Sequence, residues 1–264
     1  MNTFKVSPAA LENAAPDALG RDDERHLRDV LRIRPGEKIR LSDGRGRIRE
    51  AEVAEVSRRS VALGPFGPLV ELPPPPSRAV LFACVAKPAR MDWLLEKACE
   101  LGAAKIVPVL SSRVVSKHAP GETPQRWLRI ADSAFCQSGG GWATELAPCT
   151  PWKDAVAAAA SLGGPVFAGS LLPGAVPLGE ALLARRDALR GGPVGWFVGP
   201  EGDFSPEETE ELFAVPGVVP VTLGPRVLRV ETAAACGLSA ILCLALAPEG
   251  GAESPKAADA QGRT

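Results

Sequence analysis

Four consecutive prolines, Pro73–Pro74–Pro75–Pro76, divide this chain more firmly than any other feature. Each fixes φ and lacks a backbone donor, so the run suits neither a helix interior nor a central strand and reads as a stiff polyproline spacer. The two sides differ in character. Before the prolines short alternating runs dominate: Lys38–Ile39–Arg40–Leu41 leads into the turn signal Ser42–Asp43–Gly44, and residues 48–56 and 61–63 read as strands. Residues 1–72 are expected to form a small β-rich domain with a short helix near 22–31.

Beyond the linker at 73–76, strands alternate with helices. Residues 79–86 are a continuous apolar run, as in a strand buried on both faces. Met91, Leu94, Leu95, Ala98 and Leu101 then recur at helical spacing, with Asp92, Glu96, Lys97 and Glu100 opposite and Gly102 as a stop. Residues 105–110 read as a strand. Thr123 and Pro124 open a second helix whose Trp127, Ala131, Ala134 and Phe135 share a face before Gly139–Gly140–Gly141. Further strands are expected at 165–169 and 195–198, and a helix at 205–213. This repetition predicts an α/β domain over 77–247 with a mostly parallel sheet. Residues 248–264, almost without large apolar side chains, are expected to be a disordered tail.

Composition narrows the function classes. With 264 residues and 45% apolar content the chain can build a sizeable core. No signal-peptide core or apolar span of membrane length occurs, so the chain is read as a cytoplasmic protein. The uncharged run 232–247 is read as a buried core helix. The six cysteines form no C-x-x-C pair and most sit in apolar runs, so they are read as buried thiols. With two histidines as the only imidazoles, no metal site is expected.

Charge is unevenly placed on a chain of formal net charge −1. Nine cations (Arg25, Arg28, Arg32, Arg34, Lys38, Arg40, Arg45, Arg47 and Arg49) face three anions between 25 and 49. Such a basic stripe is the footprint of a polyanion-binding surface. A solvated face, with Arg45, Arg47 and Arg49 guarding a sheet edge, is the competing reading.

Two apolar runs empty into glycine-bearing turns before a helix: 195–198 into Gly199–Pro200–Glu201–Gly202, and 218–223 into Gly224–Pro225–Arg226. In open α/β sheets ligands bind beyond the carboxyl ends of strands, so these loops predict a pocket made largely of main chain. Neither phosphate-loop nor dinucleotide fingerprints are present. The plainer alternative is a pair of strand-to-helix turns, with Ser205, Pro206 and Glu208 as a capping box.

Taken together these stretches resemble the RsmE family of ribosomal RNA uracil-N3 methyltransferases, within the SPOUT superfamily. Residues 87–102 are similar to its K-x-x-R-M-[DE]-W-L segment, 112–115 and 127–139 to the segments that follow, and Gly199–Gly202 and 223–233 to its two C-terminal signatures. Residues 26–32 resemble the basic segment of its PUA-like domain. The resemblance implies S-adenosylmethionine as cofactor, a deep trefoil knot in the C-terminal domain, a homodimer and ribosomal RNA of the small subunit as substrate. It assigns the cofactor to Leu171 and Leu172, to Gly199, Pro200, Glu201 and Gly202, and to Leu223, Gly224, Arg226 and Leu228. RNA contact is expected from Arg25, His26, Arg28, Arg32, Arg45 and Arg47.

Methylation at a uracil N3 needs stabilisation of the charge left on the flanking carbonyl oxygens and an acceptor for the proton. Arg229, with Arg226 second, is the expected stabiliser, and Glu231 or Glu201 the expected acceptor. Either carboxylate could instead serve structure, Glu231 at the N-terminus of the last helix and Glu201 between loops. The chain departs from the family pattern at Gly140–Gly141–Trp142, where arginine is common, at Asp203, where a second glycine is usual, and at Val230, where threonine is usual. An arginine common near the family's N-terminus is also absent. A catalytically idle RNA-binding or ribosome-assembly protein, or another acceptor such as a ribose 2′-O or guanine N1, stands as the alternative.

Overall fold

The computed structural model describes residues 1–114 and 118–247, which build one sheet on each side of the prolines. The predicted tail at 248–264 lies outside the described residues. The N-terminal sheet contains β1 (Thr3–Lys5), β2 (Lys38–Ser42), β3 (Arg47–Val56), β4 (Val61–Phe66) and β5 (Val70–Glu71), in the order β1-β2-β3-β4 with β5 also on β3. β1 runs parallel to β2 and the other pairs are antiparallel. Period-two alternation turns Ile39, Leu41, Ala51, Val53, Val61 and Leu63 inward. Leu11 of α1 (Pro8–Glu12) and Leu27 join that core. α2 (Arg21–Arg25) passes directly into a π-helical turn, His26–Val30, that buries Leu27 and leaves Val30 exposed.

β3 is an interior strand, so Arg47 and Arg49 guard no edge. Arg47 Nε instead lies 2.8 Å from Oδ2 of the buried Asp43, and Arg49 donates to the Glu12 carbonyl at 3.3 Å. Burial opposes ionisation of Asp43, but hydrogen bonds from the Arg47 side chain and from the Arg45 and Arg47 N–H groups hold its carboxyl below the usual range.

The second sheet begins with β6 (Arg78–Cys84), followed by α3 (Pro88–Glu100), β7 (Lys105–Leu110) and α4 (Gln125–Ser138). Short strands β8 (Glu145–Leu146) and β9 (Thr150–Pro151) precede α5 (Trp152–Ala160). Next come β10 (Val166–Gly169), β11 (Val176–Pro177), α6 (Leu178–Leu183), β12 (Pro193–Val198), α7 (Pro206–Phe213), β13 (Val218–Thr222) and α8 (Val230–Leu246). The order is β11-β13-β10-β12-β6-β7-β8, with β9 also on β7, and every pair is parallel. Helices α3, α4, α6 and α8 cover one face around Leu94, Trp196 and Leu238. The other face packs α5, which opens with Trp152, and α7 over Phe82 and Phe197, whose rings stack 5.2 Å apart.

α8 corrects one expectation. It buries Val230, Ala234, Leu238 and Ile241, yet Cys236, Cys243 and Leu246 are exposed, so it is half-covered; with the half-buried Cys136 of α4, three of the six cysteines are not buried. Cys84 behaves as expected of an interior thiol, and burial pushes its pKa up to about 12. On the covered face α8 meets β12 at closest approach. A Cβ on Gly237 would stand 2.1 Å from Trp196 Cε2, and the Trp196 indole donates to the Ala233 carbonyl at 3.2 Å.

The stretch where the family pattern places arginine joins the two sheets. Ala143 N donates to the Gly44 carbonyl at 2.9 Å and Gly46 N to the Gly141 carbonyl at 2.8 Å. Trp142 lays its ring over Gly46 and donates from Nε1 to the Pro73 carbonyl at 3.0 Å. Lys5 adds an ion pair to Asp132 of α4 at 2.7 Å. Among the described residues no helix is long and apolar enough to cross a membrane.

Candidate active site

The carboxyl ends of β10, β12 and β13 lie side by side, and the chain leaves each through a loop. The loops enclose a cavity of about 490 Å³. That is within the roughly 300–1,000 Å³ of small-molecule sites. Of the residues assigned from sequence, Leu171, Gly199, Pro200, Glu201, Gly202, Leu223, Gly224, Arg226, Leu228 and Arg229 line it. Leu172 is exposed beside it and is not part of the lining, and neither is Glu231, in the first turn of α8. Val198, Val221, Val230 and Ala233 add an apolar wall.

Local chemistry explains the loop shapes. Ser205 and Glu208 form the expected capping box at the start of α7. The same buried Glu208 carboxylate accepts from the Ser112 N–H at 2.6 Å, which fastens the loop after β7 to this one. Asp203 sits at φ 60°, the left-handed region where aspartate is among the few tolerated non-glycine residues, and its carboxylate accepts from the Phe204 N–H at 2.9 Å. The aspartate therefore replaces a glycine without leaving the glycine conformation. Gly224 has φ +118°, and an added Cβ would meet nothing within 4 Å, so the backbone angle is what demands glycine there.

Two arginines not assigned from sequence grip the first loop. Arg113 donates to the Gly202 carbonyl at 2.6 Å, and Arg90 Nη1 meets Glu201 Oε1 at 2.7 Å. Arg90 lines the cavity, and its Nε is 4.0 Å from Glu231 Oε1. Glu231 Oε2 is buried with no hydrogen-bond partner among the described residues. A signal for Arg90 existed: it stands in the first turn of α3, where the helix dipole disfavours a cation. Arg113 carried no such sign, and its neighbour Val115 lies outside the described residues. Arg226 and Arg229 are exposed at the mouth, and neither makes an ion pair or side-chain hydrogen bond among the described residues. The site thus offers loop main chain, an apolar wall, and free cations at the rim.

The residues expected to touch RNA do not form one patch. His26 and Arg45 face a wide cleft between the N-terminal sheet and α4, whose far wall carries Arg129 and Gln137. Arg25 and Arg32 are exposed outside that cleft, and Arg28 and Arg25 both lie near Asp29, at 3.4 and 3.5 Å. Arg47 is engaged by Asp43 and, at 3.7 Å, by Glu12.

Comparison with known proteins places this geometry in context. The sequence matches the family described as RNA methyltransferase domain over residues 73–242, and RNA methyltransferase PUA domain over residues 19–65. It is similar to ribosomal RNA small subunit methyltransferase E of Bacillus subtilis, 26% identical over 253 residues that cover 90% of this chain and 94% of the relative. The protein of the same description from Mycobacterium bovis is 29% identical over 236 residues, 83% of each chain. Among solved structures, ribosomal RNA small subunit methyltransferase E from Neisseria gonorrhoeae bound to S-adenosyl methionine superposes with a TM-score of 0.76 at 28% identity, over 92% of this chain and 98% of that one. A putative methyltransferase from Legionella pneumophila in complex with the same cofactor gives 0.70 at 26% identity, over 85% and 90%.

Proposed function

The chain belongs to the RNA methyltransferase family, and on that premise we propose that it is an S-adenosylmethionine-dependent enzyme that methylates N3 of a specific uridine in small-subunit ribosomal RNA. The observation that carries the reading is the cavity beyond β10, β12 and β13, every lining residue of which falls inside the segment that matches the family. Its lining fits the cofactor. Loop N–H and C=O groups can pair with a purine edge, the apolar wall can cover the ring, and the backbone at Gly224 leaves open space for close approach. When bound, S-adenosylmethionine supplies an activated methyl group.

The protein's own residues then have to orient the acceptor and hold its charge. Arg229, exposed at the rim and free of other partners among the described residues, is placed to stabilise the uracil oxygens, with Arg226 beside it. For the proton, Glu201 is engaged by Arg90 and Glu231 stands behind the cavity wall. We therefore give both carboxylates a placing role and let the proton leave to solvent at the exposed mouth. His26, Arg45 and the exposed Arg25 and Arg32 would meet the phosphates of the RNA.

The homodimer and the knot implied by the family resemblance belong to the same proposal. The exposed stripe Thr232, Cys236, Cys243 and Leu246 of α8 carries no charge, as suits a face covered by a second copy. The test is to incubate the protein with labelled S-adenosylmethionine and small ribosomal subunits from cells lacking it, then identify the modified nucleoside by mass spectrometry. The expected product is 3-methyluridine. A different methylated nucleoside would move the acceptor, no label despite cofactor binding would point to another acceptor, and neither label nor binding would favour an idle RNA-binding protein.

A further inference from the structure

We propose that Arg90 is a positioning residue: acting through Glu201, it holds the Gly199–Gly202 loop against the cavity and so keeps the cofactor seat formed before anything binds. The inference rests on the cofactor reading above. Three observations carry it. First, Arg90 occupies the opening turn of α3, one of the least favourable places on a helix for a cation, and is nonetheless only 31% exposed. A residue that breaks a local rule without local compensation is a mark of functional sites. Here the compensation comes from elsewhere in the chain.

Second, the guanidinium stands between two carboxylates that no other cation serves among the described residues. Glu201 comes from the loop after β12 and Glu231 from the first turn of α8. Without Arg90 two anions would share a partly closed space, one of them with an oxygen already lacking a hydrogen-bond partner. Third, the loop has few other restraints of its own: the Asp203 N–H donates to the Pro200 carbonyl at 3.0 Å, and Arg113 holds the Gly202 carbonyl from the far side. Among the described residues the Arg90 contact is the one polar contact made through a side chain of the Gly199–Gly202 loop. Because both partners are about one-third exposed, the pair adds little to global stability. Its effect belongs in the affinity of the seat, where preorganisation counts.

The experiment is calorimetric titration of S-adenosylmethionine into wild type, Arg90→Ala, Arg90→Lys, Glu201→Gln and the Arg90→Ala/Glu201→Gln double variant, with thermal melts of each. Arg90→Ala should weaken binding by about tenfold or more, a loss of roughly 1.4 kcal/mol. Glu201→Gln should match it within a few-fold, and the double variant should be no weaker than the worse single, because both remove one contact. Arg90→Lys should recover part of the affinity. In turnover assays the rise in cofactor KM should exceed the fall in kcat. Wild-type affinity in Arg90→Ala or Glu201→Gln, or losses that multiply in the double variant, would overturn the proposal. If Arg90→Ala melts too low to titrate, Glu201→Gln and Arg90→Lys decide by the same criteria. Failure of the wild type to bind would instead overturn the cofactor reading beneath it, and this inference with it.

Discussion

Gly237→Ala should destabilise the protein although alanine is the better helix former. The substitution inserts one methyl group where α8 crosses β12, and its carbon would lie 2.1 Å from Trp196 Cε2 and 2.5 Å from Nε1. Trp196 is fully buried, so the ring can yield only by displacing other core residues. Overpacking of this kind costs about 1–3 kcal/mol, and an overlap this deep belongs at the upper end. If the indole turns away it also loses its bond to the Ala233 carbonyl, worth about 1 kcal/mol. Helix propensity returns about 1 kcal/mol. The balance is a loss of about 3 kcal/mol, or roughly 6–12 °C in Tm for a chain of this size. Circular-dichroism melts would measure it, with Gly179→Ala in α6 as the control, since a Cβ there meets nothing within 4 Å. The control should be neutral or gain up to about 1 kcal/mol. Cofactor affinity should fall in Gly237→Ala as well, because Val230 and Ala233 of the same helix line the cavity. A Gly237→Ala protein that melts at or above wild type would refute the packing argument.

Gly224→Val should abolish cofactor binding, since a β-branched residue cannot hold φ +118°, and titration calorimetry would detect any retained affinity. Arg229→Ala should lose turnover while cofactor affinity stays within a few-fold, and wild-type kcat would remove its assigned role. Arg45→Ala should lower the slope of log affinity against log salt for RNA by about one. Asp43 is held ionised, so its stabilising contribution is present above the unfolded carboxylate value near pH ~3.9 and is lost as pH falls through its depressed folded value. Asp43→Asn should therefore melt well below wild type at pH 7, with the gap closing in acid.

Periodicity and caps made much of the second domain readable. β7 spans the predicted 105–110, Gly139 closes α4 at φ 72°, and Ser205 with Glu208 starts α7 as a capping box. α5 was hidden, because its start has no side-chain cap and its second half is four alanines without a polar face. α8 was misread for a related reason: small uncharged residues on every side leave no pattern to separate the covered face from the bare one. At the site, the glycine-bearing strand exits were legible as loops. The pairings of Arg90 and Arg113 were not, since their partners lie 111 and 89 residues away and no local spacing records such pairs; the one local sign was a cation, Arg90, in the first turn of α3. Arg45 and Arg47 look alike in a row of alternating arginines. Only the fold, by burying Asp43 beneath one of them, gives them different work.

The seam closed by Trp142 has a bearing on how a target is chosen. Main-chain hydrogen bonds run across it in both directions, the indole bolts it to the proline spacer, and Lys5 pins its far side. Within one copy the cleft lined by His26, Arg45 and Arg129 and the cavity beyond β10, β12 and β13 are thus held at a set separation, like the jaws of a fixed gauge. On the proposed function, a folded RNA held at the first can offer the second only a nucleotide standing at that span. Selection by such a gauge is a matter of length and shape before any base edge is read.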